Sequence, residues 1–250
     1  MAVVKPTLRL LSPEQIEQMH RYSLQILSTV GLRVDSERAR RVFAQGGAVV
    51  DGDQVRIPPD LVERALQAAP AVVDVYDRRG ELAFRLGDDR TRFGIGVTAL
   101  YYQDPLSDDV LPFSREHMAA TVRLGHVLPH FDVISTVGIV QDVPLPVADL
   151  IATLEMVANT TKPLVILVSA EDSFPATLDM LQHLCGDLAA RPFVVPYFNP
   201  VTPLVLNAGT SDKMFVAIER GLPFIYSNYS MSCLLYTSDA ADDLLCVDLG

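Results

Sequence analysis

The sequence predicts an α/β fold, either a doubly wound sheet or a partial (β/α)8 barrel of the TIM type, preceded by a small α+β region. Four short apolar runs, rich in Val, Ile and aromatic residues, lie at 133–140, 163–168, 193–198 and 224–229. They recur about every 30 residues, the size of one strand with its crossover helix. Each run is nearly continuous rather than alternating, which is typical of parallel strands buried on both faces.

The amino-terminal region, residues 1–92, is predicted to form the small α+β unit. Ser12, followed three residues later by a glutamine, is a capping-box signature that predicts the start of the first helix. Asp35 is expected to cap a second helix. Asp51 and Gly52 lie between two short extended stretches, a pattern typical of a β-hairpin. None of these spacings indicates a particular chemistry.

Residues 93–232 make up the predicted first half of the barrel. A strand at 97–102 is expected to precede the repeating units. The predicted helices span residues 115–128, 146–159, 173–190 and 207–220. Each helix follows a strand, as the crossover helix of a βαβ unit does.

The composition excludes several classes of partner. The chain of 250 residues has a formal net charge of −11 and no basic stripe, which argues against nucleic acid as a partner. No apolar run approaches about 18 residues, so we expect no contact with a membrane. No charged-then-apolar signal segment opens the chain, and we expect a soluble cytoplasmic protein. The three cysteines predict no disulfide framework.

Residues 233–250 are set apart from the rest of the chain. Residues 233–242, CLLYTSDAAD, match the in-frame translation of a transposase adapter that is common in sequencing libraries. We therefore interpret 233–250 as a translated adapter and exclude it from fold reasoning. The alternative is a native acidic tail. On the adapter interpretation, we expect the gene to have been cut after the fourth strand, so that the chain is half of a longer protein.

Polar side chains follow the predicted strands at the points where they end. In parallel α/β folds, ligands bind at the carboxyl ends of the strands. Any one of these side chains has a simpler explanation, since it can cap the next helix or pack in the core. The strand-end residues that we select as candidates for substrate binding are Tyr101, Tyr102, Asp104, Gln141, Glu171, Asn199 and Tyr229.

Other motifs are better explained structurally. Gly94 and Gly96 form a Gly-x-Gly without a third glycine, so they do not make a dinucleotide fingerprint. His126 and His130 have a ligand-like spacing, but a proline lies between them and no acid completes a zinc set, so we expect no metal site. Cys185 is interpreted as a packed residue rather than a nucleophile. The catalytic residues are unknown from the sequence.

Five stretches of the chain, in the same order, resemble the trimethylamine methyltransferase family, the corrinoid-dependent enzymes that demethylate methylated amines. The matching stretches are residues 11–34 (LSPEQIEQMHRYSLQILSTVGLRV), 55–70 (VRIPPDLVERALQAAP), 93–104 (FGIGVTALYYQD), 159–166 (NTTKPLVI) and 199–232 (NPVTPLVLNAGTSDKMFVAIERGLPFIYSNYSMS). The patterns are diffuse, but they are spread in the family's order along the chain, and the resemblance as a whole covers essentially all of residues 1–232.

The resemblance implies a (β/α)8 barrel behind an α+β unit, in proteins about twice this long. It implies methyl transfer from a tertiary or quaternary amine, of the trimethylamine or betaine type, to the Co(I) of a separate corrinoid protein. No cofactor would then be bound directly, and a homo-oligomer and a role in methanogenesis are also implied. Trimethylamine-specific members carry pyrrolysine in their second half, which this chain does not reach. The substrate therefore stays open, and the 250-residue chain by itself is expected to be inactive.

A quaternary ammonium offers no N–H donor, so aromatic faces and carboxylates must recognise it. Tyr101, Tyr102, Tyr229 and Glu171 are the available groups of this kind. Two alternatives stay open. One is a different (β/α)8 enzyme, such as a zinc-dependent methyltransferase, and the other is a non-catalytic binder of quaternary ammonium compounds.

Overall fold

The computed structural model describes residues 9–96, 98–201 and 203–227. In this part of the chain the helices are α1 (Pro13–Thr29), α2 (Glu37–Gly46), α3 (Pro59–Ala68), α4 (Arg115–Val127), α5 (Ala148–Asn159), α6 (Ser173–Cys185) and α7 (Ala208–Glu219). The strands are β1 (Leu32–Val34), β2 (Val49–Asp51), β3 (Gln54–Arg56), β4 (Val73–Tyr76), β5 (Leu82–Leu86), β6 (Tyr101–Gln103), β7 (Val110–Pro112), β8 (Ile134–Ser135), β9 (Leu164–Ile166), β10 (Val194–Phe198), β11 (Val205–Leu206) and β12 (Ile225–Tyr226). None of the described helices has the length and apolarity needed to cross a membrane.

The chain divides into two units. Met1–Ala69 together with Leu204–Asn207 belong to the first, and the second comprises Pro70–Pro203 and Ala208–Gly250. The first unit is built on a four-stranded sheet with the order β11-β1-β3-β2. Strands β2 and β3 form an antiparallel hairpin around Gly52, as predicted, and β11 pairs with β1 in parallel.

Two helices of the first unit begin at capping residues. Ser12 Oγ accepts the N–H of Gln15 (3.3 Å), and the Ser12 N–H donates to Gln15 Oε1 (2.8 Å), which confirms the predicted capping box of α1. The predicted cap of α2 is wrong by one residue. Ser36, not Asp35, caps this helix, because its Oγ accepts the N–H of Ala39 (3.3 Å). Asp35 instead forms an ion pair with Arg33 (3.0 Å).

The second unit contains a parallel sheet with the order β12-β10-β9-β8. Every neighbouring pair in it is parallel, and the strands follow one another in chain order. Parallel bridges from Gly94 to Val133 and from Ala99 to Gly138 extend the sheet beyond β8. The structure therefore confirms the α/β class and the pairing of the four apolar runs as parallel strands. The described residues do not form a closed barrel.

Helices α4 to α7 pack in sequence beside this sheet, and their apolar faces build the main core. Fully buried side chains from the strands meet fully buried side chains from the helices. Members of this core include Met118, Ile134, Met156, Leu164, Ile166, Phe174, Leu178 and Leu181. Near-continuous apolar runs were the basis of the strand predictions, and burial of the strands under helices is their physical cause.

Two boundaries in this unit differ from the prediction. The chain turns away at Leu100, so the expected strand at 97–102 is replaced by the antiparallel hairpin of β6 and β7. Asp104 Oδ1 accepts the N–H groups of Leu106 (2.8 Å) and Ser107 (3.0 Å), which makes the turn. Helix α6 ends at Cys185 rather than at residue 190, because Gly186 adopts a φ of +85° that ends the helix.

The stretch NTTKP at residues 159–163 ties α4 to the start of β9. Asn159 Oδ1 accepts a hydrogen bond from Arg123 (2.9 Å), and Thr160 Oγ1 is hydrogen-bonded to His126 Nδ1 (3.0 Å). Lys162 Nζ donates to the carbonyl oxygens of Gly125 (2.8 Å) and Leu128 (2.7 Å). The lysine thereby satisfies carbonyl groups that the end of a helix leaves without partners.

We predict that Lys162→Met lowers the free energy of unfolding by about 1–2 kcal/mol, because it removes both hydrogen bonds to the end of α4. Chemical denaturation of the purified protein measures the change. Arg123→Met is the matched control, since it removes one exposed hydrogen bond of the same region and should cost at most about 0.5 kcal/mol. Equal losses in the two variants would contradict the role of Lys162.

Candidate functional site

The carboxyl ends of β9 and β10 carry two of the predicted site residues, Glu171 and Asn199. The first turn of α7 brings these two residues to one place. Glu171 lies against Gly209, and the hydroxyl of Thr210 donates to the carbonyl oxygen of Asn199 (3.2 Å). The side chains of Glu171 and Asn199 are exposed. The geometry therefore joins the loops after two neighbouring parallel strands, where α/β folds bind ligands.

The side chain of Glu171 closely approaches the backbone of Gly209. A Cβ atom placed on Gly209 would lie 1.5 Å from Glu171 Oε1 and 2.1 Å from its Cδ. Only glycine leaves room for the carboxylate at this point. The partial positive charge of the amino end of α7 favours a negative group there. In the described part of the chain, no hydrogen bond to the Glu171 carboxylate is found, so its oxygens are available to a ligand.

The loop that carries Glu171 is held from two sides. Asp149 Oδ2, in the first turn of α5, accepts the N–H groups of Ser169 (2.8 Å) and Ala170 (2.9 Å). Lys213 Nζ, on α7, donates to the carbonyl oxygens of Val168 (2.9 Å) and Ser169 (3.5 Å). We call this arrangement the loop clamp. It fixes the backbone from residue 168 to residue 171 between two helices.

Burial lowers the pKa of Lys213, while the negative charges of Glu171 and then Asp149 act in the opposite direction. The group formed by these three side chains contains two carboxylates and one ammonium, so its formal charge is −1 when all three are ionised. Sequence reasoning did not assign Asp149 or Lys213 to the site. The available signal was the position of Asp149 in the first turn of the helix that follows β8.

Aromatic rings lie directly beside these loops. Phe198, the last residue of β10, packs edge-on against Phe174 with 5.7 Å between ring centroids, and lies 5.4 Å from the ring of Phe224. Phe174 and Phe198 are buried, and Phe224 is half-buried. These phenylalanines were not among the predicted site residues, because in the sequence they look like ordinary core positions.

Two further predicted residues, Tyr102 in β6 and Gln141, stabilise the hairpin of β6 and β7. Tyr102 stacks on His117 with 4.1 Å between ring centroids and an interplanar angle of 8°, and Phe113 packs edge-on against the same imidazole. Gln141 Nε2 donates to the carbonyl oxygen of Leu100 (2.5 Å), and the Gln141 N–H donates to that of Phe113 (2.9 Å). Tyr102 therefore joins the hairpin to α4, and Gln141 bonds to the backbone at both ends of the hairpin. Both residues support the local structure.

The other two predicted residues that the structure describes, Tyr101 and Asp104, belong to the hairpin of β6 and β7. Tyr101 is exposed, with 62% of its surface accessible. The N–H groups of Ser107 and Leu106 lower the pKa of Asp104, which is engaged in the hairpin turn. Tyr229 lies outside the described residues. The structure thus brings Glu171 together with Asn199, and Tyr102 into the region of Gln141.

Other groups on the described residues do not assemble into a reactive centre. No cluster of three or more His, Cys, Asp or Glu side chains able to hold a metal ion is found in the described ranges. Burial raises the pKa of the Cys185 thiol, the opposite of what activates a cysteine nucleophile. What this part of the structure offers is an exposed carboxylate, that of Glu171, at the carboxyl end of a parallel strand, which suits recognition of a small cation.

We predict that Gly209→Ala stabilises the protein by less than the gain of about 1 kcal/mol that is ordinary when alanine replaces glycine in a helix. The new methyl group must displace Glu171. The double variant Gly209→Ala/Glu171→Ala should show the full gain relative to Glu171→Ala, because the clash is then removed. Thermal unfolding of the two single variants and the double variant measures this coupling. Gly96→Ala, where a Cβ meets nothing within 4 Å, is the control. Additive effects in the double variant would contradict the contact.

Comparison with known proteins places these features in a family. Residues 2–233 match the profile of the family described as trimethylamine methyltransferase (MTTB). The trimethylamine methyltransferase MttB of Desulfitobacterium hafniense (strain DSM 10664 / DCB-2) is 28% identical over 88% of this chain and 46% of its own length. The glycine betaine methyltransferase of D. hafniense (strain Y51) is 23% identical over 93% of this chain and 49% of its own length.

The proline betaine:corrinoid methyltransferase of Eubacterium limosum shares 38% identity over a shorter stretch, 28% of this chain and 15% of its own length. The chain spans about half the length of the first two relatives. These relatives are named for related substrates, trimethylamine and betaines, and all are methyltransferases. The family match extends over more than nine-tenths of the 250 residues. The chain therefore belongs to the trimethylamine methyltransferase family.

Proposed function

We propose that the protein to which this chain belongs transfers a methyl group from a trimethylamine-type or betaine-type amine to the Co(I) of a corrinoid carried by a separate protein. The family and the names of the relatives support methyl transfer from such amines. One relative is named a proline betaine:corrinoid methyltransferase, which supports a corrinoid acceptor. We propose no cofactor bound directly by this chain.

We also propose that the parallel sheet of the second unit is the first half of a (β/α)8 barrel. Its strands are all parallel and neighbour one another in chain order, with a helix in each connection from β8 to β12. A doubly wound sheet would reverse its strand order at a switch point. The described strands show no such reversal. On this proposal, Glu171 and Asn199 lie at the end of the barrel that carries active sites.

The observation that carries the functional proposal is the Glu171 carboxylate, which is exposed at the strand ends without a hydrogen bond to the described residues. A methylated ammonium carries a positive charge that this carboxylate attracts, and the charges of Asp149 and Lys213 in the loop clamp offset each other, so the Glu171 charge is left to the ligand. Phe198, which directly precedes Asn199, packs against the half-buried ring of Phe224, so this end of the sheet also contains aromatic residues.

Transfer of a methyl group from a quaternary amine leaves a neutral amine, so no proton has to be moved by the protein. The corrinoid supplies the nucleophilic metal when its carrier protein docks. The tasks left to this chain are to bind the ammonium, to orient one methyl group and to exclude water. Glu171, fixed by the loop clamp and by contact with Gly209, is suited to the first two tasks.

We predict that the complete open reading frame that contains this chain methylates a reduced corrinoid protein when trimethylamine, glycine betaine or proline betaine is added. Loss of the Co(I) absorption band and mass spectrometry of the demethylated amine measure the reaction. The 250-residue chain alone is the control and is expected to be inactive. Amine binding without any methyl transfer would instead support the alternative of a non-catalytic binding protein.

We predict that Glu171→Gln raises the KM for the amine substrate about tenfold, which corresponds to a loss of about 1.4 kcal/mol of electrostatic attraction. The substitution keeps the shape of the side chain and removes its charge. Asp172→Asn is the matched control, since it removes a neighbouring carboxylate that makes no capping hydrogen bond. A KM that is unchanged in Glu171→Gln, in a protein of unchanged melting temperature, would exclude Glu171 from substrate binding.

A further inference from the structure

A polar cavity lies at the opposite end of the parallel sheet from Glu171. The turn between β4 and β5 meets the segment that leads into β10, and the N–H of Tyr76 donates to the carbonyl oxygen of Pro192 (2.9 Å). The N–H of Arg78 donates to the carbonyl oxygen of Thr161, which precedes β9 (2.9 Å). The hairpin is thereby fixed at the amino ends of these strands, away from the proposed amine site.

The cavity has a volume of about 290 Å³, and three arginines line it. Its lining residues are Asp77, Arg78, Arg79, Gly80, Cys185, Gly186, Asp187, Ala190, Arg191 and Phe193. The arginines outnumber the two aspartates, so the formal charge of the lining is +1. This is a local excess of positive charge in a chain whose net charge is −11.

The two carboxylates are already engaged by backbone donors. Asp77 Oδ1 accepts the N–H groups of Arg79 and Glu81 (both 2.9 Å). Asp187 Oδ1 accepts those of Ala189 (3.0 Å) and Ala190 (3.1 Å). These contacts hold the two turns that border the cavity. The aspartates therefore have a structural role of their own.

The arginine side chains retain N–H donors that a ligand can use. Arg78 Nη1 donates to the carbonyl oxygen of Val157. Within the ranges that the structure describes, neither Arg79 nor Arg191 has a carboxylate within 4.0 Å, and both are exposed at the cavity. Guanidinium groups with unused donors are the groups that bind oxyanions most readily, because they offer pairs of parallel N–H bonds.

The side chain of Arg191 lies against the turn at Gly80. Gly80 has a φ of +81°, and a Cβ atom at this position would lie 2.9 Å from Arg191 Nη1. The guanidinium of Arg191 therefore lies against the backbone of the turn, and Arg79 lines the same cavity. Cys185 also lines the cavity. Burial raises the pKa of its thiol, so the thiol stays uncharged at neutral pH and does not repel an anion.

We propose that this cavity is a binding site for a phosphate group, held by Arg79 and Arg191 with Arg78 behind them. Phosphate fits the cavity, and its oxygens match the forked donors of the arginines. The site is independent of the proposed methyl transfer, since it lies at the other end of the sheet. Free phosphate and a phosphate ester share this chemistry, and the experiment compares the two.

The test measures the rate at which iodoacetamide alkylates Cys185, identified by peptide mass spectrometry, in the purified chain. Inorganic phosphate is compared with chloride at equal ionic strength and pH. Phosphate at about ten times its dissociation constant should slow alkylation about tenfold, since about nine-tenths of the sites are then occupied. Glycerol 3-phosphate is tested in parallel, and the ligand with the lower dissociation constant shows whether the site prefers free or esterified phosphate.

The double variant Arg79→Gln/Arg191→Gln should lose this protection, because both exposed guanidinium groups are removed. Arg85→Gln is the matched control, since it removes an arginine of the same hairpin that pairs with Asp74 outside the cavity, and it should keep the protection. Equal alkylation rates in phosphate and chloride would overturn the proposal. Protection that persists in the double variant would overturn it as well.

Discussion

The candidate site depends on the way in which one loop backbone is held between two helices. Residues 168–171 follow β9 and carry Glu171, and an isolated loop of this kind would leave its N–H and carbonyl groups to water. Asp149 accepts two of the N–H groups, and Lys213 donates to two of the carbonyl groups. Charged partners make these hydrogen bonds stronger than neutral ones. The position of Glu171 is thus set by residues far from it in sequence.

This arrangement also shows why Gly209 and Thr210 matter at the start of α7. The glycine lets the carboxylate of Glu171 approach the helix, and the threonine hydroxyl reaches the carbonyl oxygen of Asn199. Two strand-end loops therefore share one helix turn as their support. Functional side chains are held accurately when their neighbours lock them, and here the locking groups are backbone and small residues.

Local signals in the sequence predicted much of the fold. The four apolar runs form parallel strands, of which β8, β9 and β10 are largely buried, and Ser12 caps α1 because its hydroxyl satisfies a helix donor. Errors arose where competing signals lay close together. Ser36 and Asp35 are both good caps, and Gly186 ended α6 before the apolar pattern did.

The candidate site was less predictable than the fold. Strand-end position selected Glu171 and Asn199, and their common contact with α7 agrees with that reasoning. The same rule also selected Asp104, which the structure engages in a hairpin turn that the residues DPLSDD could have indicated. Asp149 and Lys213 escaped notice because their partners are separated from them by about 20 and 45 residues, and sequence periodicity reports only nearby contacts.

The short strand β11 has a consequence for how the protein is made. Its residues, Val205 and Leu206, complete a sheet whose other strands end at Arg56. A ribosome therefore releases the first three strands long before the fourth exists. Until Leu206 emerges, the edge of β1 has no partner on that side, and nascent chains are exposed to mispairing for that interval. Because synthesis runs from the amino terminus, the first unit cannot complete its sheet until Leu206 has been made.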